Sequence, residues 1–350
     1  MSLPHLDRSG RPTLRTVAEL AGVHVSTASR ALSSSPTINE RSGSARTIAR
    51  IREIADRVGF ERNPHGAGLR TSRSSLMGVL VPRLSDVVLA TIYEGIEDRA
   101  RSLGYQTFVA NGHDQPQVRR ARLEMLLARR VDGLILGDAH GDDDELLESL
   151  GLRGVTFVLT NRHSGAHPSV TCDDYLGGRL AAEHLVDLGH EDLAVAAGEP
   201  YASTGRDRTR GFLDVCAERG VEVPAARVVH SPFDVEGGRR AAAALLASPK
   251  PPTGLFVVND FAAIGAMGAA REAGRTVGKD LAIVGYNDIP LVSQLPVPLT
   301  SVSSPMHEMG VRAAQMLSDV IDGKTVESQR LPPSLKARES TIRRRYVTTA

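Results

Sequence analysis

Residues 13–34 read TLRTVAELAGVHVSTASRALSS, two short helical patterns interrupted at Gly22. Leu14, Val17, Ala18 and Ala21 recur at i, i+3, i+4 and i+7, which places them in one apolar stripe on a helix. Gly22 has the backbone freedom for a tight turn, and Val23 is placed to fill the gap between two helices. The second pattern, over about 25–32, keeps Ala28, Ala31 and Leu32 for a core. Its other face carries Val25, Ser26, Ser29 and Arg30. Small and polar side chains ending in an arginine suit a helix laid into the major groove of DNA. There a guanidinium grips a guanine edge or a phosphate through two parallel hydrogen bonds. A plain helical hairpin shares the periodicity, but A-x-x-A-G-V followed by T-x-S-R is a narrower pattern than periodicity demands.

Working outward, a third helix is predicted over 44–58. Ile48, Ile51, Ile54, Ala55 and Val58 form its stripe, Ser44 caps its start and Gly59 ends it. Three short helices make a minimal DNA-binding unit. Charge agrees with this: residues 1–75 hold twelve arginines, no lysine and six acidic residues, a net of +6, which leaves −5 on residues 76–350. A basic headpiece on an acidic body is the footprint of a nucleic-acid binder joined to a module with another ligand. A length of 350 residues calls for two or three folding units. Cys172 and Cys216, the only cysteines, suggest no disulfide framework. The start, MSLPHLDRSGRPT, lacks the apolar run of an export signal, and no run of eighteen apolar residues follows anywhere. A cytoplasmic protein without membrane contact is expected.

These stretches resemble the LacI/GalR family of bacterial transcription repressors. The likeness rests on TVAELAGVHVSTASRAL (16–32), IREIADRVGF (51–60), NPHGAGLRT (63–71), NDFAAIGAM and VGYNDIP, and runs from about residue 13 to 340. It implies an all-α helix-turn-helix headpiece over 1–61 and a hinge over 62–75. An effector-binding core over 76–345 then follows, with an N-lobe of about 76–172 and 303–329 and a C-lobe of about 173–302 and 330–345. It also implies a DNA-facing set of Thr13, Leu14, Val25, Ser26, Thr27, Ser29, Arg30, Asn63 and Leu69. In the family the hinge becomes helical only on DNA, where a leucine matching Leu69 wedges the minor groove, an insertion that bends the duplex. Two departures stand out. The connection after Ser33 is about five residues longer than the pattern, around 39–43, which reads as a solvated bulge or as an added phosphate contact through Arg41 or Arg46. His24 stands where a capping serine is usual, and imidazole caps less well than a hydroxyl.

From Leu76 onward, apolar runs at 76–82, 105–110, 133–137, 154–159, 192–197, 254–258 and 281–286 alternate with amphipathic stretches at 89–103, 117–130, 174–188, 208–219, 236–247 and 260–273. Repeated β-α units argue a two-lobed, doubly wound parallel-sheet α/β core. This resembles the periplasmic-binding-protein-like (type I) core of the same family. Ligands of such sheets bind beyond the carboxyl ends of the strands. The candidate effector residues are therefore those at strand ends and in the facing loops: Asp86, Asn161, Arg208, Phe233, Asn259 and Asn287. Amides and carboxylates converging with an arginine and an aromatic face suit a polyhydroxylated molecule such as a sugar or nucleoside. Loop Asn and Asp residues also tie turns, and Arg208 has the alternative of pairing with an acidic neighbour. Val87 and Val88 replace the aromatic usual near the first strand, which disfavours a stacked purine.

No dinucleotide fingerprint, Walker lysine or Cys/His cluster with metal spacing occurs, so no catalytic residue, metal or cofactor is expected. The expected partners are double-stranded DNA at a pseudo-palindromic operator, a small-molecule effector and a second copy of the chain. A solute-binding protein with the same core but no regulatory DNA binding is the alternative reading.

Overall fold

The computed structural model describes residues 11–32, 44–60, 73–141 and 144–341. The chain divides into two compact units, Met1–Ser74 and Ser75–Ala350. The extra residues near 39–43, Asn63, Leu69 and most of the expected hinge lie outside the described residues.

In the first unit, α1 (Leu14–Leu20) starts at a capping box. Thr13 Oγ1 accepts from the Thr16 amide at 3.3 Å, and the Thr13 amide donates to Thr16 Oγ1 at 3.0 Å. Gly22 turns the chain at φ +63°, and the Val23 amide donates to the Ala18 carbonyl at 3.0 Å. Helix α2 (Val25–Ala31) follows at once. Helix α3 (Ala45–Val58) is capped by Ser44 and ends at Gly59 with φ +67°, as its sequence pattern predicts. Ile51, Ile54 and Ala55 of α3 are buried against Val17, Ala18, Ala21, Ala28 and Ala31. Alanines dominate this core, and Val17, Ile51 and Ile54 are its largest buried side chains.

The second unit holds two six-stranded sheets among the described residues. The first contains β1 (Leu76–Val81), β2 (Gln106–Asn111), β3 (Gly133–Leu136), β4 (Phe157–Thr160), β5 (Ser169–Cys172) and β11 (Gln329–Leu331), all parallel and ordered β2-β1-β3-β4-β5-β11. The second contains β6 (Leu193–Ala197), β7 (Val228–His230), β8 (Gly254–Val257), β9 (Ala282–Asn287), β10 (Thr300–Ser303) and β12 (Ser334–Lys336). Its order, β7-β6-β8-β9-β10-β12, repeats the first, with only β12 antiparallel. The strand order reverses between β1 and β3 in one sheet and between β6 and β8 in the other. At such switch points helices leave on opposite faces and open a crevice at the strands' carboxyl ends.

Helices α4 (Val87–Ser102), α5 (Pro116–Ala128), α6 (Glu145–Leu152) and α11 (Met306–Ile321) serve the first lobe. Helices α7 (Asp174–Asp187), α8 (Ser203–Glu218), α9 (Val235–Leu246) and α10 (Asp260–Glu272) serve the second. The chain passes between lobes after β5, after β10, and between Leu331 and Ser334. Helix α8 begins five residues earlier than its periodicity suggests, because its first turn, with Ser203, Thr204, Gly205 and Asp207 buried, is polar or small and carries no apolar stripe. The α7–α8 contact is close: a β-carbon on Gly178 would fall on the Arg208 carbonyl, and one on Gly211 on the Tyr175 carbonyl.

Candidate functional site

The two sets of strand ends enclose a cavity of about 360 Å3. All six candidates, Asp86, Asn161, Arg208, Phe233, Asn259 and Asn287, line it. They differ in what else they do. Asn259 is committed structurally: its Oδ1 caps α10 by accepting from the Ala262 amide at 2.9 Å, and its Nδ2 donates to the Phe233 carbonyl at 2.8 Å. Asn161, at φ +63°, donates Nδ2 to the Gly137 carbonyl at 3.3 Å and ties the loop after β4 to the end of β3. Asp86 caps α4 through the Val88 amide at 3.0 Å, and burial raises its pKa above the usual carboxylate range.

Arg208 is 4% exposed and both pairs and lines the cavity. Its Nε donates to Asp174 Oδ1 at 2.7 Å and its Nη1 to the Val258 carbonyl at 2.7 Å. The guanidinium carbon lies 3.6 Å from the centre of the Tyr286 ring. Cys172 Sγ sits 3.4 Å from the Tyr286 hydroxyl. Burial pushes the Cys172 thiol up to about 12, which leaves it protonated and a poor nucleophile. Phe233 packs its ring where Gly198 has no side chain, since a β-carbon there would collide with it.

Asn287 is 5% exposed. It ends β9 at φ +103° and is followed by Asp288 at φ +56°. Its Oδ1 is buried and has no hydrogen-bond partner among the described residues. An unpartnered buried acceptor costs about 1–3 kcal/mol, and strained backbone of this kind clusters at ligand clamps.

The six candidates leave out Arg162, which stands beside Asn161 just after β4, and the network around it. This arginine is 4% exposed and holds Asp114 by two bonds, Nη1–Oδ1 at 2.7 Å and Nη2–Oδ2 at 3.0 Å, while its buried Nε lacks a partner among the described residues. Its guanidinium carbon lies 5.5 Å from the Tyr201 ring centre and 6.0 Å from that of Phe233. His140 Nε2 is 3.2 Å from Asp114 Oδ1, and the His140 ring stacks on Tyr201 at 4.3 Å. Burial alone would raise the Asp114 pKa, but hydrogen bonds from His140 and Arg162 hold it well below the carboxylate range. Asp114 follows β2 and Tyr201 follows β6, so the strand-end rule that selected Asp86 also reaches them.

The lobes are bridged beside the cavity. The His163 amide donates to Ser203 Oγ at 3.0 Å, His163 Nε2 lies 2.7 Å from Asp207 Oδ2, and the Gly141 amide donates to the Tyr201 carbonyl at 2.7 Å. Each contact joins a loop of the first lobe to α8 or the loop before it.

On the headpiece, α2 turns Val25 (36% exposed), Ser26 and Arg30 to solvent, with Thr27 and Ser29 half-buried. Arg30 Nε folds back onto the Ser26 carbonyl at 3.2 Å. Arg46 and Arg50 are exposed on α3. Leu14 packs on the core and Thr13 is half-buried at the start of α1. His24 does cap α2: its Nδ1 accepts from the Ser26 amide at 3.3 Å and is 2.8 Å from Ser26 Oγ. Among the described residues no His, Cys, Asp and Glu group could hold a metal ion, and no helix is long and apolar enough to cross a membrane.

A model of the periplasmic binding protein-like domain matches residues 182–341. The chain is 33% identical to an HTH-type transcriptional regulator from the aml 5′ region of Streptomyces limosus, over 97% of this chain and 98% of the relative. Among solved structures, the Lac repressor dimer bound to operator and the anti-inducer ONPF is similar at 28% identity and a TM-score of 0.84, over 95% of this chain and 99% of that one. A LacI family transcriptional regulator from Enterococcus faecium with bound ribose is similar at 30% identity and a TM-score of 0.66, over 77% of this chain and 99% of that one.

Proposed function

The chain belongs to the LacI family of transcriptional regulators, and from that premise we propose that it is an operator-binding repressor governed by a small polyhydroxylated metabolite held between its two lobes. The observation that carries this reading is the convergence of six candidate residues, picked from strand ends, a loop and a helix in opposite halves of the core, on one cavity that both lobes line. Arg208 and Asn287 present polar groups from the C-lobe, Asp86 and Asn161 from the N-lobe, and Phe233 offers an apolar ring to a sugar face. Val25, Ser26, Thr27, Ser29 and Arg30 read the major groove, and Thr13, Leu14, Asn63 and Leu69 complete the DNA contacts.

One headpiece reads few base pairs, so a symmetric dimer on a pseudo-palindromic site supplies the specificity. The Lac repressor dimer on its operator supports this arrangement. Ligand and DNA then act on one equilibrium, and each changes the affinity of the other by the same factor. The chain works in the cytoplasm as a binding protein, not an enzyme. The regulator relative matched over 97% of the chain favours this reading over a solute-binding protein of the same core.

The test is a thermal-shift screen of sugars and nucleosides on the full chain, followed by binding to duplexes recovered by selection from random DNA. A ligand that binds only the native state raises the melting point by mass action. The same ligand is expected to move the DNA-binding curve.

A further inference from the structure

We infer that the cavity accepts an uncharged polyhydroxylated ligand and discriminates against its phosphorylated or carboxylated counterparts. This rests on the sensor reading above and narrows its ligand class. The argument is a charge inventory. Four carboxylates line the cavity, Asp86, Asp114, Glu199 and Asp234, against three guanidiniums, Arg83, Arg162 and Arg208. The two buried guanidiniums are already matched: Arg162 holds Asp114 in a two-bond pair, and Arg208 holds Asp174 at 2.7 Å. Only Arg83, exposed at the rim, has no carboxylate assigned to it by an ion pair among the described residues.

The places where a fold usually receives an anion are filled as well. Helix starts attract negative charge, yet α4 carries Asp86 on its Val88 amide at 3.0 Å and α9 carries Asp234 on its Gly237 amide at 2.7 Å. Helices α5 and α8, of those starting at the cavity, lack a side-chain cap, so a phosphate would have to settle beside Asp114 or on the side lined by Glu199 and Thr204. A phosphate monoester brings a charge of about −1.5 to −2 into a group of carboxylates that no free buried cation offsets.

The unpartnered atoms ask for a hydroxyl instead. Asn287 Oδ1 lacks a donor and Arg162 Nε lacks an acceptor among the described residues, and the two residues line the cavity from opposite lobes. A hydroxyl group donates and accepts, so it satisfies Asn287 whichever way its amide is turned. A phosphate dianion only accepts, so it satisfies Asn287 in just one of the two amide orientations.

The experiment compares matched pairs on the full chain by thermal shift and calorimetry: ribose with ribose 5-phosphate, glucose with glucose 6-phosphate, and adenosine with its monophosphate. The free member of at least one pair is expected to bind at least tenfold more tightly than its phosphate. Asp114→Asn, which releases the Arg162 charge, is expected to narrow that ratio about tenfold, and Glu199→Gln, on the cavity wall, to narrow it less. A phosphorylated member that binds wild type as tightly as its free partner overturns the inference while leaving the sensor reading intact. Failure of every free and phosphorylated compound to bind overturns both. An unchanged ratio in both variants also overturns it, because the discrimination would then not arise from these charges.

Discussion

His163, in the loop after β4, meets Asp207 on α8 with Nε2 and Oδ2 2.7 Å apart, and so joins the two lobes beside the cavity. The same histidine's backbone amide is held by Ser203. Any motion that opens the cleft on this side must break both bonds.

Burial alone would raise the pKa of Asp207, but its bond to His163 and the nearby charges of His163, Arg210 and Arg206 lower it. A depressed carboxylate stabilises the fold above its unfolded value, about 3.9, and loses that stabilisation as pH falls through the folded value. Asp207→Asn is therefore expected to lower stability by about 1–3 kcal/mol near pH 7. The gap from wild type should close as pH falls below about 4, and melting curves from pH 7 to pH 3 read it. A gap that stays constant across that range contradicts the bridge.

Gly178 is expected to tolerate no side chain, because the Arg208 carbonyl occupies the place of its β-carbon. Gly178→Ala forces α7 and α8 apart and is expected to cost about 1–3 kcal/mol and to weaken ligand binding by displacing Arg208. Gly268 sits mid-helix in α10 with open space around it. Gly268→Ala is expected to stabilise by up to about 1 kcal/mol. Paired melting curves and ligand titrations decide whether the two substitutions separate in this way.

Arg30→Ala is expected to relax base preference at one position of each half-site, costing about 1–3 kcal/mol on the preferred sequence and little on random duplex. Selection from random DNA with the variant reads this directly, and an unchanged preferred motif contradicts a base-reading role. His24→Ser replaces the imidazole cap of α2 with a hydroxyl and is expected to add about 0.5–1 kcal/mol to headpiece stability.

The long elements were legible because their signals are strong. Ile48, Ile51, Ile54, Ala55 and Val58 repeat at helical spacing between a capping serine and a closing glycine, and α3 follows that pattern to the residue. Strands β1, β6 and β9 are apolar runs buried throughout or nearly so. The strands that the apolar-run criterion missed are short and half polar. Ser169 and Thr171 in β5, and Thr300 and Ser301 in β10, are buried but hydrogen-bonded; Thr300, for example, donates its amide to Ser340. Their partners lie far along the chain, so no local pattern announces them. Helix α11 packs on α4 from the far end of the sequence and joins the first lobe only through the crossover after β10.

The cavity was legible to the same degree and for the same reason. Strand ends are visible in sequence, so Asp86, Asn161, Asn259 and Asn287 could be placed. Pairing is not visible. Whether Arg208 faces a ligand or Asp174, and that Arg162 is fixed by Asp114, depends on side chains 34 and 48 residues apart. Charge balance inside the cavity is thus a property of the folded chain alone.

The most direct measurement is a titration of a selected duplex with the full-length protein, followed by fluorescence anisotropy, with and without a saturating free sugar that raises its melting point. Coupling between the cavity and the headpiece predicts a change in operator affinity of about fivefold or more, with binding to random duplex unaffected. Superimposable curves in the two conditions would contradict it.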